Sequence, residues 1–108
     1  MNSTTIQRSC PKFTIYCHND QNEEIAHGTI LIHNWRESDR SIGMVEDIWV
    51  HENYRKRGIA SDITKSLIDI AKEYDCYKVI LDCADHNIHL YETLGFKKWQ
   101  NSMRLDLQ

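Results

Sequence analysis

Arg55-Lys56-Arg57-Gly58-Ile59-Ala60 lies where the chain turns from an apolar strand into an amphipathic helix. Upstream, Met44-Val45-Glu46-Asp47-Ile48-Trp49-Val50 reads as a strand interrupted by two adjacent acids. Downstream, Ile59, Ile63, Leu67, Ile70, Ala71 and Tyr74 form one stripe at helical spacing, with Asp62, Lys65, Asp69, Lys72 and Glu73 mostly off it. Next comes Lys78-Val79-Ile80-Leu81-Asp82-Cys83, whose apolar centre does not alternate. A continuous apolar strand after such a helix predicts a strand–helix–strand crossover with a parallel pair. The start of that helix offers unpaired N–H groups and the positive end of a dipole, which suits a phosphate. Gly58 lets the backbone approach closely, Ala60 keeps the next turn small, and Arg55, Lys56 and Arg57 add positive charge. Taken alone, a basic turn with a glycine is weak evidence and fits a solvated loop capping a helix better.

Working outward, residues 1–12 are polar, close on Cys10-Pro11 and read as a loose lead-in. Phe13 to Cys17 is a strand by alternation and by its strand-forming residues. Asn19-Asp20-Gln21-Asn22 is a turn cluster, and a second strand follows from Ile25 to about His33, completing a hairpin. Asn34 to Gly43 is a polar loop. Beyond the apolar strand, Asp85 is a candidate N-cap of a short helix through Leu94, with Gly95 placed to end it. Phe96 to Leu107 reads as a last strand, finishing in alternating Met103-Arg104-Leu105-Asp106-Leu107. No repeat or second domain is visible, so residues 1–108 are expected to form a single domain.

The 108 residues are 41% apolar and 27% charged, as in an ordinary folded domain rather than a disordered chain. A net charge of −3 with both signs scattered argues against a general nucleic-acid binder, which would carry a basic face. A local basic cluster still suffices for a small anion. No apolar run is long enough to span a membrane. Met1-Asn2-Ser3-Thr4-Thr5 lacks a signal-peptide pattern, so a cytoplasmic setting is expected, with Cys10, Cys17, Cys76 and Cys83 as free thiols. Cys83 has no histidine at a recognisable spacing and reads as a buried packing residue. His86 and His89 share a helix face but lack further ligands, so no metal is expected.

The spacing Arg-x-x-Gly-x-Ala at a strand-to-helix junction resembles the acyl-CoA signature of the GNAT superfamily of N-acetyltransferases. The resemblance continues in Val45-Glu46-Asp47-Ile48, Tyr54-Arg55, Cys76-Tyr77-Lys78-Val79-Ile80-Leu81-Asp82-Cys83, Asn87, Tyr91-Glu92 and Gly95-Phe96. These are similar to the glucosamine-6-phosphate N-acetyltransferase family, over about residues 13–107. It implies an α/β fold of GNAT type: a mixed, mostly antiparallel sheet with a splayed parallel strand pair and flanking helices. It implies acetyl-CoA as co-substrate, with pantetheine against Ile48, Trp49 and Val50, and pyrophosphate on the N–H groups of Lys56 to Ser61. Asn87 and Tyr91 would line the thioester end. Glu46, Asp47, Ile48 and Asp82 would face the acceptor, with Tyr77 and Lys78 near its phosphate. The implied chemistry is direct acetyl transfer to the amine of glucosamine 6-phosphate, with Asp82 taking or orienting a proton and Tyr91 donating one to the leaving thiolate. The resemblance also implies a homodimer with the last strand near the interface.

Blander roles fit the same residues. Tyr91 reads as a half-buried helix aromatic, Asp82 as a cap, and one of Glu46 and Asp47 as merely solvated. The chain also departs from the family. It is expected to be N-terminally shortened, leaving the acceptor side less covered. Where the family carries a phosphate-binding arginine near its C-terminus, this chain has Asp106; Arg104, on the same strand face, is the candidate substitute. These departures keep two alternatives in view: acetylation of another amine, such as another amino sugar, a polyamine or a protein amine, and a CoA-binding module without turnover.

Overall fold

The computed structural model describes residues 10–34 and 40–108. Most of the expected lead-in and the middle of the expected polar loop lie outside the described residues. β1 (Lys12–His18), β2 (Glu24–Asn34) and β3 (Ser41–Val50) are followed by α1 (Ile59–Glu73), β4 (Cys76–Ile80) and α2 (Ile88–Thr93). Short 3₁₀ turns at Glu52–Tyr54 and Asp85–Asn87 lead towards α1 and α2. The β1–β2 turn is built by Asn19, whose Oδ1 accepts the N–H groups of Gln21 and Glu23 at 3.0 and 2.9 Å.

The strands lie in the order β1-β2-β3-β4. β1, β2 and β3 pair antiparallel, and β4 joins β3 in parallel, as the crossover through α1 requires. The mixed sheet with helices is the fold expected from the sequence. β3 begins at Ser41, earlier than expected, because Ser41–Met44 pairs with both β2 and β4.

Two features of β3 position the site. Its ladder with β4 stops at the Met44–Ile80 pair, so Leu81–Cys83, expected as strand, has left the ladder. Along β2 and β3, Thr29 opposes Glu46 and His27 opposes Trp49, so β3 carries one residue more than β2. The bulge bends β3 and increases its twist. Within it Asp47 has φ 57, a left-handed conformation uncommon outside glycine.

α1 closes one face of the sheet. Its buried Ile63, Leu67 and Ala71 pack with Ala26, Ile30 and Ile32 of β2 and Val45 of β3. Thr64 is also buried, and its hydroxyl donates to the Ala60 carbonyl at 2.7 Å. The approach is close at Gly28, where a Cβ would lie 2.6 Å from Ile63 and 2.7 Å from Ile48. Tyr74, expected on the apolar stripe, is instead the exposed C-cap residue of α1.

α2 is shorter than expected. Asp85 opens the preceding 3₁₀ turn rather than capping it, and no side chain caps α2. Its C-terminus ends as expected: Gly95 has φ 100, its N–H bonds the Glu92 carbonyl, and the Phe96 N–H bonds that of Tyr91. The last strand expected over Phe96–Leu107 is not formed, because no strand among the described residues pairs with it. Met103, Leu105 and Leu107 are accordingly exposed.

Candidate active site

Where β3 and β4 part, a cavity of about 240 Å³ opens. Val45, Glu46, Asp47 and Ile48 line it from β3, Leu81, Asp82 and Cys83 from the segment after β4, and Asn87 and Tyr91 from the 3₁₀ turn and α2. Sequence positions from 45 to 91 thus converge because the parallel ladder ends early. A wider cleft of about 1170 Å³ runs on past Lys78 and Asp82 to the C-terminal segment Lys97–Ser102.

Tyr91 is the one buried polar side chain in this wall, 8% exposed, with its ring edge-on to Phe96 at 5.8 Å. Burial, and secondarily the charge Cys83 can carry, pushes its hydroxyl above the usual tyrosine range. The hydroxyl therefore stays protonated at neutral pH, the form in which a general acid must start. Asp82 is exposed beside the cavity, where a carboxylate can reach an incoming amine.

The second part of the site is the loop before α1. Lys56 and Gly58 both take left-handed backbone, at φ 63 and φ 82. Gly58 is the N-cap position and supplies no side-chain cap. The first α1 hydrogen bond from this end runs from the Asp62 N–H to the Gly58 carbonyl, so the N–H groups of Ile59, Ala60 and Ser61 have no partner inside the helix. Nothing lies within 4 Å of where a Gly58 Cβ would stand. Unpaired N–H groups at the positive end of a helix suit an anion.

Neighbouring contacts hold the loop in place. The Arg55 Nε donates to the Val50 carbonyl at 3.0 Å, and Asn19 Nδ2 donates to the Tyr54 hydroxyl at 3.3 Å. The Arg57 guanidinium lies 5.1 Å from the centroid of the Tyr54 ring. Between loop and cavity, Trp49 and Val50 pair with β2 on one edge, Ile48 lies in the bulge, and β4 has already left the other edge.

Of the residues expected in the site, Glu46, Asp47, Ile48, Asp82, Asn87 and Tyr91 share the small cavity, and Lys78 lines the adjoining cleft. Tyr77 lines neither; its ring lies 4.8 Å from the Arg40 guanidinium. Arg104 also lies outside both, and its Nε donates to Asp106 Oδ1 at 2.7 Å.

Other features escaped the sequence. Cys83, expected to be buried packing, is exposed in the cavity wall. Trp99 lines the wider cleft, with the Lys78 ammonium 3.9 Å from its ring centroid. His27 meets Asp47, its Nε2 3.2 Å from the carboxylate Oδ2. Only the register opposite the bulge could have pointed to that pair.

Comparison with known proteins agrees with this geometry. The model of the acetyltransferase (GNAT) family matches residues 3–96. A Trypanosoma brucei brucei glucosamine 6-phosphate N-acetyltransferase is 32% identical over 94 residues, which are 86% of this chain and 64% of that protein. This chain therefore spans just under two thirds of that relative's length. Among solved structures, a Trypanosoma brucei acetyltransferase superposes with a TM-score of 0.84 at 32% identity, covering 89% of this chain and 69% of that one. Glucosamine-6-phosphate N-acetyltransferase from Arabidopsis thaliana also reaches 0.84, at 24% identity, covering 90% and 67%; at that identity the likeness concerns the fold. With a family match across most of its length and the splayed β3–β4 pair in place, the chain belongs to the acetyltransferase (GNAT) family.

Proposed function

We propose that the chain transfers an acetyl group from acetyl-CoA to the primary amine of an amino-sugar phosphate, with glucosamine 6-phosphate as the leading acceptor. The observation that carries this reading is the gap between β3 and β4, with Asp82 and Tyr91 in its walls and the open start of α1 beyond it. An extended ligand with a pyrophosphate at one end and a thioester at the other suits that arrangement. The pyrophosphate would take the N–H groups of the first α1 turn, and the pantetheine would pair with the free edge of Ile48–Val50. The acceptor follows from the relatives' names.

In the reaction, the neutral amine attacks the thioester carbonyl carbon. Asp82 takes the proton released from nitrogen, directly or through water. An N–H of the β3 backbone near Ile48–Val50 meets the developing oxyanion. As the carbon–sulfur bond breaks, the Tyr91 hydroxyl gives its proton to the thiolate. Holding both substrates together supplies much of the remaining rate, with no acyl-enzyme needed.

One observation favours a second reading, in which a different amine is the acceptor. Arg104 is paired with Asp106 and stands away from the cleft, so its cation does not face an acceptor phosphate there. Thiol release from acetyl-CoA over a panel of amines separates the two. The leading reading expects glucosamine 6-phosphate to be preferred over glucosamine, polyamines and peptide amines. Preference for an unphosphorylated amine would move the assignment to the second reading, and binding of acetyl-CoA without turnover of any amine would refute both.

A further inference from the structure

The proposed reaction leaves unused a histidine on the sheet face opposite α1. Tyr16, His27 and Trp49 stand in one row across β1, β2 and β3, in direct register. The His27 ring is 5.2 Å from the Trp49 ring, tilted by 31°, and 6.3 Å from Tyr16, near edge-on. This aromatic rack restricts the imidazole. Its Nδ1 lies 3.5 Å from Glu24 Oε2, and its Nε2 lies 3.2 Å from Asp47 Oδ2. Asp47 is the left-handed residue of the β3 bulge, and it lines the cavity together with Ile48.

These facts connect. At φ 57 Asp47 sits in a higher-energy basin, at a smaller cost for Asp than for most residues, so a contact on its side chain can decide whether it stays there. The bulge lies just beyond the last β3–β4 pair, so its direction decides which way the following β3 backbone faces across the gap. A hydrogen bond to a carboxylate is among the stronger side-chain contacts available to impose such a conformation.

We infer that His27 is a positioning residue. Its Nε2–H holds the Asp47 carboxylate, keeps the bulge left-handed, and so aims the Asp47–Val50 backbone at the acetyl donor. Asp47 then serves the site mainly through its backbone, because its carboxylate is engaged by His27. The catalytic consequence rests on the acetyltransferase reading above; the conformational consequence does not.

Two variants separate the hydrogen bond from packing. His27→Phe keeps a ring between Tyr16 and Trp49 but removes the donor, and His27→Gln restores an N–H at similar reach. The first readout needs no ligand: the HN–Hα coupling and Cα shift of Asp47, which report its φ by NMR. The native chain and His27→Gln are expected to show left-handed values, and His27→Phe values averaged towards the extended basin. Left-handed values retained in His27→Phe would overturn the inference.

The second readout is kinetic, with the best amine acceptor. His27→Phe is expected to lower kcat about tenfold or more, as small misplacements at a reacting centre do, with the acceptor KM changed less than about twofold on the same reasoning. His27→Gln should recover most of the loss. Glycine occupies positive φ without help, so in an Asp47→Gly background His27→Phe should cost less than about twofold. An equal factor in both backgrounds would overturn the inference. A native chain that acetylates no amine would defeat the functional reading, while the Asp47 φ measurement would still decide the clamp.

Discussion

Tyr91 carries the most specific chemistry of any single residue here. Its side chain is buried and its hydroxyl is pushed above the ordinary tyrosine range, so the protonated form persists through neutral pH and is lost only as pH rises past that range. Two outcomes follow. The alkaline limb of kcat should lie above about 10, the ordinary tyrosine value. Tyr91→Phe should lower kcat about a hundredfold, a typical general-acid contribution, with little change in acetyl-CoA affinity by calorimetry. An unchanged kcat would remove Tyr91 from the acid role. Gly58 is a second test at this scale. Its φ of 82 makes any side chain strained, although space is open around it. Gly58→Ala should weaken acetyl-CoA binding about tenfold, the equivalent of roughly 1–2 kcal/mol of left-handed strain.

At the scale of elements, the crossover β3–α1–β4 was legible because each part has a strong period: alternation, then a helical stripe, then an unbroken apolar run. The place of the loop before α1, between a strand and a helix, was legible for the same reason. The bulge at Asp47 was not, because a bulge is a property of two strands and depends on which β2 residue each β3 residue opposes. His27 was invisible with it. Cys83 was misread because the strand was expected to continue through it, whereas the ladder stops at Ile80. Packing at this level has a sharp test in Gly28. A methyl there would press on Ile63 and Ile48, both held between α1 and the sheet. Gly28→Ala should cost about 1–3 kcal/mol, the usual range for overpacking, read as a lower midpoint in urea unfolding. An unchanged midpoint would show that α1 can shift away from β2 freely.

For the whole molecule, the C-terminal segment is where sequence and single-chain structure part. Alternation in Met103 to Leu107 describes a strand, but a strand needs a partner, and the sheet of the described residues provides none. A second copy of the chain is the proposed partner, in keeping with the expected homodimer. Light scattering should then report a dimer, and Met103→Asp with Leu105→Asp should shift it to monomer while leaving the melting temperature of the α1 core nearly unchanged. A monomeric native chain would contradict this assembly.

The proposed donor site draws together the early end of the β3–β4 ladder, the start of α1 and the cavity wall bearing Tyr91. An acetyl-CoA titration followed by amide NMR tests it most directly. The largest shifts are expected at Lys56–Ser61, Ile48–Val50 and around Tyr91. Shifts clustered elsewhere, or no binding at all, would contradict a donor site in the gap between β3 and β4.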